Sequence, residues 1–295
     1  MIFLQQVLNG LSQGGIYALI AIGWTTVFGI VGVINWTHGD IYMMGAFFGY
    51  FAITLLHLPF VAALLLAMLV SGGIAVLVDV LCYKPLRHAP KMALFITALG
   101  ASTFLRYLAS SMWKPNPRAY PAVVQFKMIH LFTLGDQTLS ISNIHLIIFF
   151  TALAIMALLQ LFITRTMMGK AMLAASQDFS AICLMGVKYN SLISITFLIS
   201  GMLGGAAGVL VGVLYAVNPM MGAIAGLKGW SVAILGGVGS ITGSMIGGII
   251  LGVTENLVGG FISTGYKDAI SFIIMIIVLV IKPTGLMGYK FEEKV

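Results

Sequence analysis

Apolar residues run through this chain in long blocks, separated by short polar stretches. Crossing ~30 Å of hydrocarbon takes about 20 helical residues, because open strand edges and irregular backbone leave polar groups unsatisfied in lipid. The blocks therefore predict helices over 4–30, 41–56, 60–82, 92–112, 144–163, 191–217, 241–257 and 269–281. A further apolar run at 229–235 is too short to cross and ends in Gly236, Gly237 and Gly239, residues that weaken a helix. It predicts half of a broken helix. The fold class expected is an all-α integral membrane bundle of eight transmembrane helices plus a broken or re-entrant half-helix, forming a single transmembrane domain over residues 1–295.

Composition strengthens this reading. The 295 residues are 60% hydrophobic and only 8% charged, with a mean hydropathy of +1.08, so too few polar groups exist to cover a water-facing globule. The formal charge of +7 is scattered over loops rather than gathered on one helix face, which argues against a nucleic-acid partner. The lipid bilayer is the expected surroundings. Cys82 and Cys183 have neither metal-ligand spacing nor a disulfide framework. No Lys or Arg precedes Lys84, so the first block lacks the basic flank of a cleavable signal and is expected to remain in the mature protein.

Lys and Arg near span ends set orientation. Lys84, Arg87, Lys91, Arg165, Lys170, Lys188, Lys282, Lys290 and Lys294 fall on one side if the broken segment dips inward and back; Lys114, Arg118, Lys127, Lys228 and Lys267 fall on the other. That bias predicts a multi-pass protein of a bacterial inner (plasma) membrane, N-terminus outside and C-terminus cytoplasmic. The longest interruption, 113–143, opens with Pro115, Pro117 and Pro121 and then alternates about Gly135 and Asp136, which predicts an external hairpin.

Polar groups inside apolar blocks are the candidates for function. Asn35, Trp36, Thr37, His38, Gly39 and Asp40 interrupt two spans, where a carboxylate and an imidazole must face protein or water; they either line a solute path or tie helix ends together. Gly237 to Gly243 superficially resembles a phosphate loop but has no Lys-Ser/Thr ending and follows no strand, so a helix break inside the membrane is the better reading. Its exposed amide and carbonyl ends suit a zwitterionic solute. The candidate substrate path is Asn35, Thr37, His38, Asp40, Gly236, Gly237, Gly239 and Ser240. Asp79 and Arg106 are expected to be interfacial or paired, and Glu255 to act as a gate or brace for the last helices. Glycines four apart, Gly204, Gly208 and Gly212, and the pairs Gly243/Gly247 and Gly248/Gly252, predict close helix seams. Between 165 and 190, Ala171, Ala174, Ala175, Phe179, Ile182 and Leu184 recur at near-helical spacing and predict a short surface helix, either a docking element or an interfacial helix touching lipid. No HExxH, no paired catalytic carboxylates and no nucleophile with a matched base are present, so no enzymatic chemistry is assigned.

Several motifs in one order resemble the permease subunits of branched-chain amino acid ABC importers, the LivH-like half. GLSQGGIYAL at 10–19 looks like the family's first helix, and NWTHGDIYMMG at 35–45 is similar to its Asn-Phe-Ala-His-Gly-Glu signature, with Trp36, Thr37 and Asp40 as conservative departures. TRTMMGKAMLAASQDFSAICLMGV at 164–187 resembles the family's coupling loop, with Arg165, Gly169, Lys170, Ala171, Ala174, Asp178 and Gly186 at matching places and Leu173 where an Arg is common. LGGVGSITGSMIGG at 235–248 and KPTGLMG at 282–288 complete the match. The resemblance implies a membrane domain like that of type II importers and alternating access. It also implies a second LivM-like permease, two cytoplasmic ATPases that use ATP and Mg2+, and an extracytoplasmic substrate-binding protein. This chain itself would bind no cofactor. Relatives handle leucine-type amino acids, other amino acids, urea and short amides. An ATP-independent carrier or channel for small polar solutes is the alternative from another class, and the few charges within spans give it little to couple to.

Overall fold

A computed structural model describes residues 2–87, 89–121, 127–134, 137–177, 182 and 185–288. Its helices are α1 (Ile2–Val31), α2 (Thr37–Thr54), α3 (Phe60–Val78), α4 (Lys91–Trp113), α5 (Asn143–Arg165), α6 (Met167–Gln177), α7 (Tyr189–Leu214), α8 (Met221–Gly236), α9 (Ile241–Phe261) and α10 (Lys267–Ile281). A π-helical turn, Asp79–Tyr83, and a 3-10 turn, Lys84–Leu86, prolong α3. Seven described helices are long and apolar enough to cross a membrane. The remaining predicted span is α2, which carries Thr37, His38 and Asp40 in its first turn.

The 30 residues of α1 make a rod of ~45 Å at 1.5 Å per residue, and every position from Gly14 to Val27 is buried. It is the axis of the bundle. Along one side, Gly10 and Gly14 meet Gly252 and the backbone of Ile249 and Val253 in α9, while Gly248 lies against the backbone of Ala18. A Cβ on Gly14 would stand 2.7 Å from the Ile249 Cα, closer than side-chain carbons approach backbone. With lipid on both sides of the comparison, apolar burial gives little net drive for helix association, so dispersion across such seams must hold the helices together. In α7 the predicted seam is also used: Gly204 faces the His38 ring, Gly208 the Tyr42 carbonyl and Gly212 the Tyr120 ring. Gly201 and Gly205 extend it onto Ser71 of α3.

Outward faces of α3, α4, α5 and α10 expose large apolar side chains such as Leu69, Phe104, Leu158 and Val280. In α10 only Ser271 is buried. Between α4 and α5, β1 (Met128–Leu134) and β2 (Gln137–Ser142) pair antiparallel, as the alternation predicts; the turn residues Gly135 and Asp136 lie outside the described residues. Ahead of this hairpin Arg118 bridges to Val217 at the end of α7, and the Tyr120 hydroxyl donates to the Ala46 carbonyl at 2.6 Å. Burial pushes that phenol well above its usual range and keeps it a donor.

Three expectations change. The helix after the first break starts at Thr37 rather than at 41, because the polar groups of its first turn find partners within the bundle. The half-helix starts at Met221 rather than at 229 and reaches 16 residues, so Lys228, read as an external loop charge, lies inside a helix and is 9% exposed. On α6 the buried face is Gly169, Met172 and Ala175, with Ile182 packed beside them, while Ala174 is exposed. Phe179 and Leu184 lie outside the described residues.

The seam predicts a sharp asymmetry between glycines. Gly252→Val should lower stability by about 1–3 kcal/mol, as overpacking does, whereas Gly73→Ala, with nothing within 4 Å of the added carbon, should hold or slightly raise the thermal unfolding midpoint in detergent.

Candidate functional site: polar clusters inside the bundle

The chain leaves α1 at Val31, folds back through Gly32 with φ +69°, and re-enters the bundle to start α2. Two turns of α1 lie beyond the level at which His38 meets it. The His38 Nε2 donates to the Ile20 carbonyl at 3.1 Å, since a carbonyl can only accept, and Nδ1 faces the Ser200 hydroxyl of α7 at 3.1 Å. Gly23 leaves room for the imidazole, its carbonyl accepting from Ser200 at 2.9 Å, and Trp24 packs edge-on at 5.9 Å. His38 is fully buried and joins α1, α2 and α7. Asn35 is held similarly: its Oδ1 accepts from Thr37 and, at 2.9 Å, from Tyr83 in the turn that prolongs α3.

One turn further on, Asp40 is 1% exposed and accepts from Ser102 and from the Arg106 Nε at 3.1 Å, both on α4. Gly222 and Gly226 let α8 cross directly over Gly39 beside this pair. Asp40 and Arg106 were each a lone ionisable residue in an apolar block. A charge inside a membrane needs a partner, which is the signal that could have paired them.

A second cluster joins four helices. The Lys228 ammonium lies 3.0 Å from Glu255 Oε1, 2.7 Å from Asp268 Oδ1 and 3.1 Å from the Tyr17 hydroxyl. Tyr17 in turn donates to Glu255 Oε2 at 2.6 Å, and Ser271 donates to Oε1. Glu255 therefore braces α9 against α1, α8 and α10. Lys228, Tyr17 and Asp268 escaped sequence reasoning because the partners are up to 238 positions apart. A third pair, Asp79 with Arg87 at 2.6 Å, fixes the extension of α3 to the start of α7 through Ser194 and Asn190.

The broken helix is also satisfied within the chain. Gly237 and Gly239 have φ +103° and +92°, conformations that exclude most side chains, and Ser240 caps α9 by accepting from the Gly243 N–H at 3.1 Å. After α10 the chain returns beneath this turn. The N–H groups of Leu286 and Met287 donate to the carbonyls of Leu235 and Gly236 at 2.9 Å, filling acceptors that the end of α8 leaves open. This accounts physically for the KPTGLMG stretch.

Arg165, Lys170, Ala174 and Gly186 are exposed at one end of the bundle; Ala171 is half-buried and Gly169 is buried against Phe162 and Ile163. Asp178 lies outside the described residues. A small cleft lined by Thr25, Gly29, Ile163, Met172, Ser176 and Gly239 puts α6 next to both α1 and the α8–α9 turn. The two predicted regions, coupling loop and broken helix, are thus neighbours.

Seven apolar spans, with breaks and ion pairs closed by residues from distant helices, define a multi-span helical membrane protein. The chain belongs to the family described as branched-chain amino acid transport system, permease component, whose family model matches residues 6–279. It is 37% identical to the high-affinity branched-chain amino acid transport system permease protein BraD of Pseudomonas aeruginosa, over 99% of this chain and 98% of that one. It is 35% identical to the corresponding LivH of Escherichia coli strain K12, again over 99% and 98%. Among solved structures, PsaBC from Streptococcus pneumoniae in complex with Fab superposes with a TM-score of 0.50 at 15% identity, covering 96% of this chain and 92% of that chain, which shows the likeness of fold.

The four-helix brace yields a prediction. Glu255→Ala leaves Lys228 with Asp268 alone and takes the acceptor from Tyr17 and Ser271, and should cost about 1–3 kcal/mol; the double change Lys228→Met with Glu255→Leu should recover most of it. Unfolding midpoints of the purified variants check both.

Proposed function

We propose that this chain is one permease subunit of an ABC importer that moves branched-chain amino acids inward across the bacterial inner membrane. It works beside a second, LivM-like permease, two cytoplasmic ATPases that use ATP and Mg2+, and an extracytoplasmic binding protein. The names of the relatives at 35–37% identity support the substrate class. The chain carries out no bond chemistry of its own.

The observation that carries the coupling role is the place of α6. Its buried face sits on the end of α5 and beside the α8–α9 turn, while Leu173, Met167 and, beyond it, Met185 expose apolar side chains at the bundle's end. A partner ATPase gripping that surface would move α6 as a rigid lever, and the turn at Gly239 would respond, because packed helices shift between discrete arrangements. Arg165, Gly169, Lys170, Ala171, Ala174, Asp178 and Gly186 form the lever and its footing in this reading. The end that carries α6 also collects Lys84, Arg87, Lys91, Lys188 and Lys282. Lys114, Arg118, Lys127 and Lys267 remain at the other end once Lys228 is withdrawn into the bundle. This distribution favours a cytoplasmic α6, an external N-terminus and a cytoplasmic C-terminus.

Solute would pass at the face shared with the partner permease, by the re-entrant segment of Asn35, Thr37, His38 and Asp40 and the break at Gly236, Gly237, Gly239 and Ser240. Glu255 and its partners brace the helices that move.

In the assembled, reconstituted importer, uptake of leucine should require ATP and the binding protein; uptake by this chain alone without ATPases would sink the proposal. Gly186 has φ +86°, so Gly186→Val distorts the connection from α6 to α7. It should lower leucine transported per ATP hydrolysed by about tenfold, within the usual span of coupling energies. An unchanged ratio of uptake to hydrolysis would remove that residue from the lever.

A further inference from the structure

The outer face of α4 is apolar and open at Ile96, Leu99, Phe104 and Tyr107, and at its margin toward α2 stands Arg106 with its side chain 22% exposed. Its partner Asp40 lies fourteen residues before the end of α2, ~21 Å along the helix, about two-thirds of the way across a ~30 Å hydrocarbon core. Guanidinium groups at that depth face protein or a water-filled cavity, never bare lipid. Arg106 uses Nε and Nη2 towards Asp40 and Ser102; Nη1 takes no partner among the described residues.

The neighbourhood has a matching character. Phe95, Leu99, Ser102 and Arg106 follow one another on one face of α4, and the Phe95 ring meets Trp36 at 6.2 Å. The Trp36 indole N–H is buried without a partner, as is that of Trp24, whose ring lies 5.9 Å from it. An unused guanidinium N–H beside an apolar, aromatic wall suits a small molecule with an acceptor group at one end and a hydrocarbon group at the other.

We propose that Arg106 binds the carboxylate of the transported amino acid, with Asp40 and Ser102 holding the rear edge of the guanidinium and Trp36, Phe95 and Leu99 contacting the solute's side chain. The inference deepens the import reading and rests on it. The remaining Nη1 can give a carboxylate a charge-assisted hydrogen bond. Asp40 offsets part of the charge, which keeps the solute from being held too tightly to leave, as transport requires. Asp40 and Ser102 are positioning residues.

The test uses the whole importer with Cys82→Ala, Cys183→Ala and Leu99→Cys, labelled by a charged, membrane-impermeant methanethiosulfonate. Cys at 99 should label without solute. Saturating leucine should slow labelling about tenfold, whereas leucinamide, which lacks the carboxylate, should not. Adding Asp40→Asn with Arg106→Gln removes both charges together, so neither is left unpaired, and should abolish the protection by leucine. The proposal is overturned if the thiol does not label, if leucinamide protects as well as leucine, or if the doubly neutral variant keeps its protection. The labelling arms in the unaltered Arg106 background decide the matter even where that variant fails to assemble. ATP-driven uptake by the wild-type complex runs in parallel: its absence fells the importer reading, while uptake without leucine-specific protection fells only this site.

Discussion

Hydrocarbon offers no hydrogen bonds, so every break and every ionised side chain within the membrane must be answered by protein or by enclosed water. In this chain that constraint decides where helices start, how they cross and which residues converge. The re-entrant segment after α1 survives because His38 reaches the Ile20 carbonyl and Ser200, and because Asn35 reaches Thr37 and Tyr83. The break after α8 survives because Leu286 and Met287 close it from below. Each irregularity is local in sequence, but its completion comes from a distant helix.

The ion pairs obey the same logic and divide the labour. Lys228 with Glu255 and Asp268 holds α8, α9 and α10 to α1 at Tyr17, and Asp79 with Arg87 holds α3 to α7. Asp40 with Arg106 differs in leaving part of its guanidinium exposed on an outer face. A buried pair is weak ground for stability, since desolvation offsets much of the attraction, but it fixes which surfaces meet. That open edge is the one the proposed solute contact uses.

Close packing supplies the other half of the mechanism. Glycine seams place α1 against α9 and α7 against α2 and α3 with backbone nearly touching backbone. Such contacts have little compliance, so in the proposed coupling a displacement of α6 would pass to its neighbours as a shift between packings rather than being absorbed by side chains. The α8–α9 turn, built on Gly237 and Gly239 and lying beside α6, is the point where such a shift would meet the broken helix.

Hydrophobic blocks alone determined the membrane class and the eight helices that the long blocks occupy, because lipid thickness and helix rise set those lengths directly, while near-helical spacing marked the surface helix after α5. Motif order carried the resemblance to a permease family. Tertiary structure alone decided that α2 begins at Thr37, that α8 reaches back to Met221, that Ala174 faces outward, and that Lys228 belongs to a buried cluster rather than a loop. Ala174 follows from which face of α6 packs on α5; the other three share one physical reason. A polar side chain in a membrane helix is tolerated or forbidden according to its partner, and Ile20 for His38, Arg106 for Asp40 and Glu255 for Lys228 stand 18, 66 and 27 positions away, beyond the reach of any local pattern.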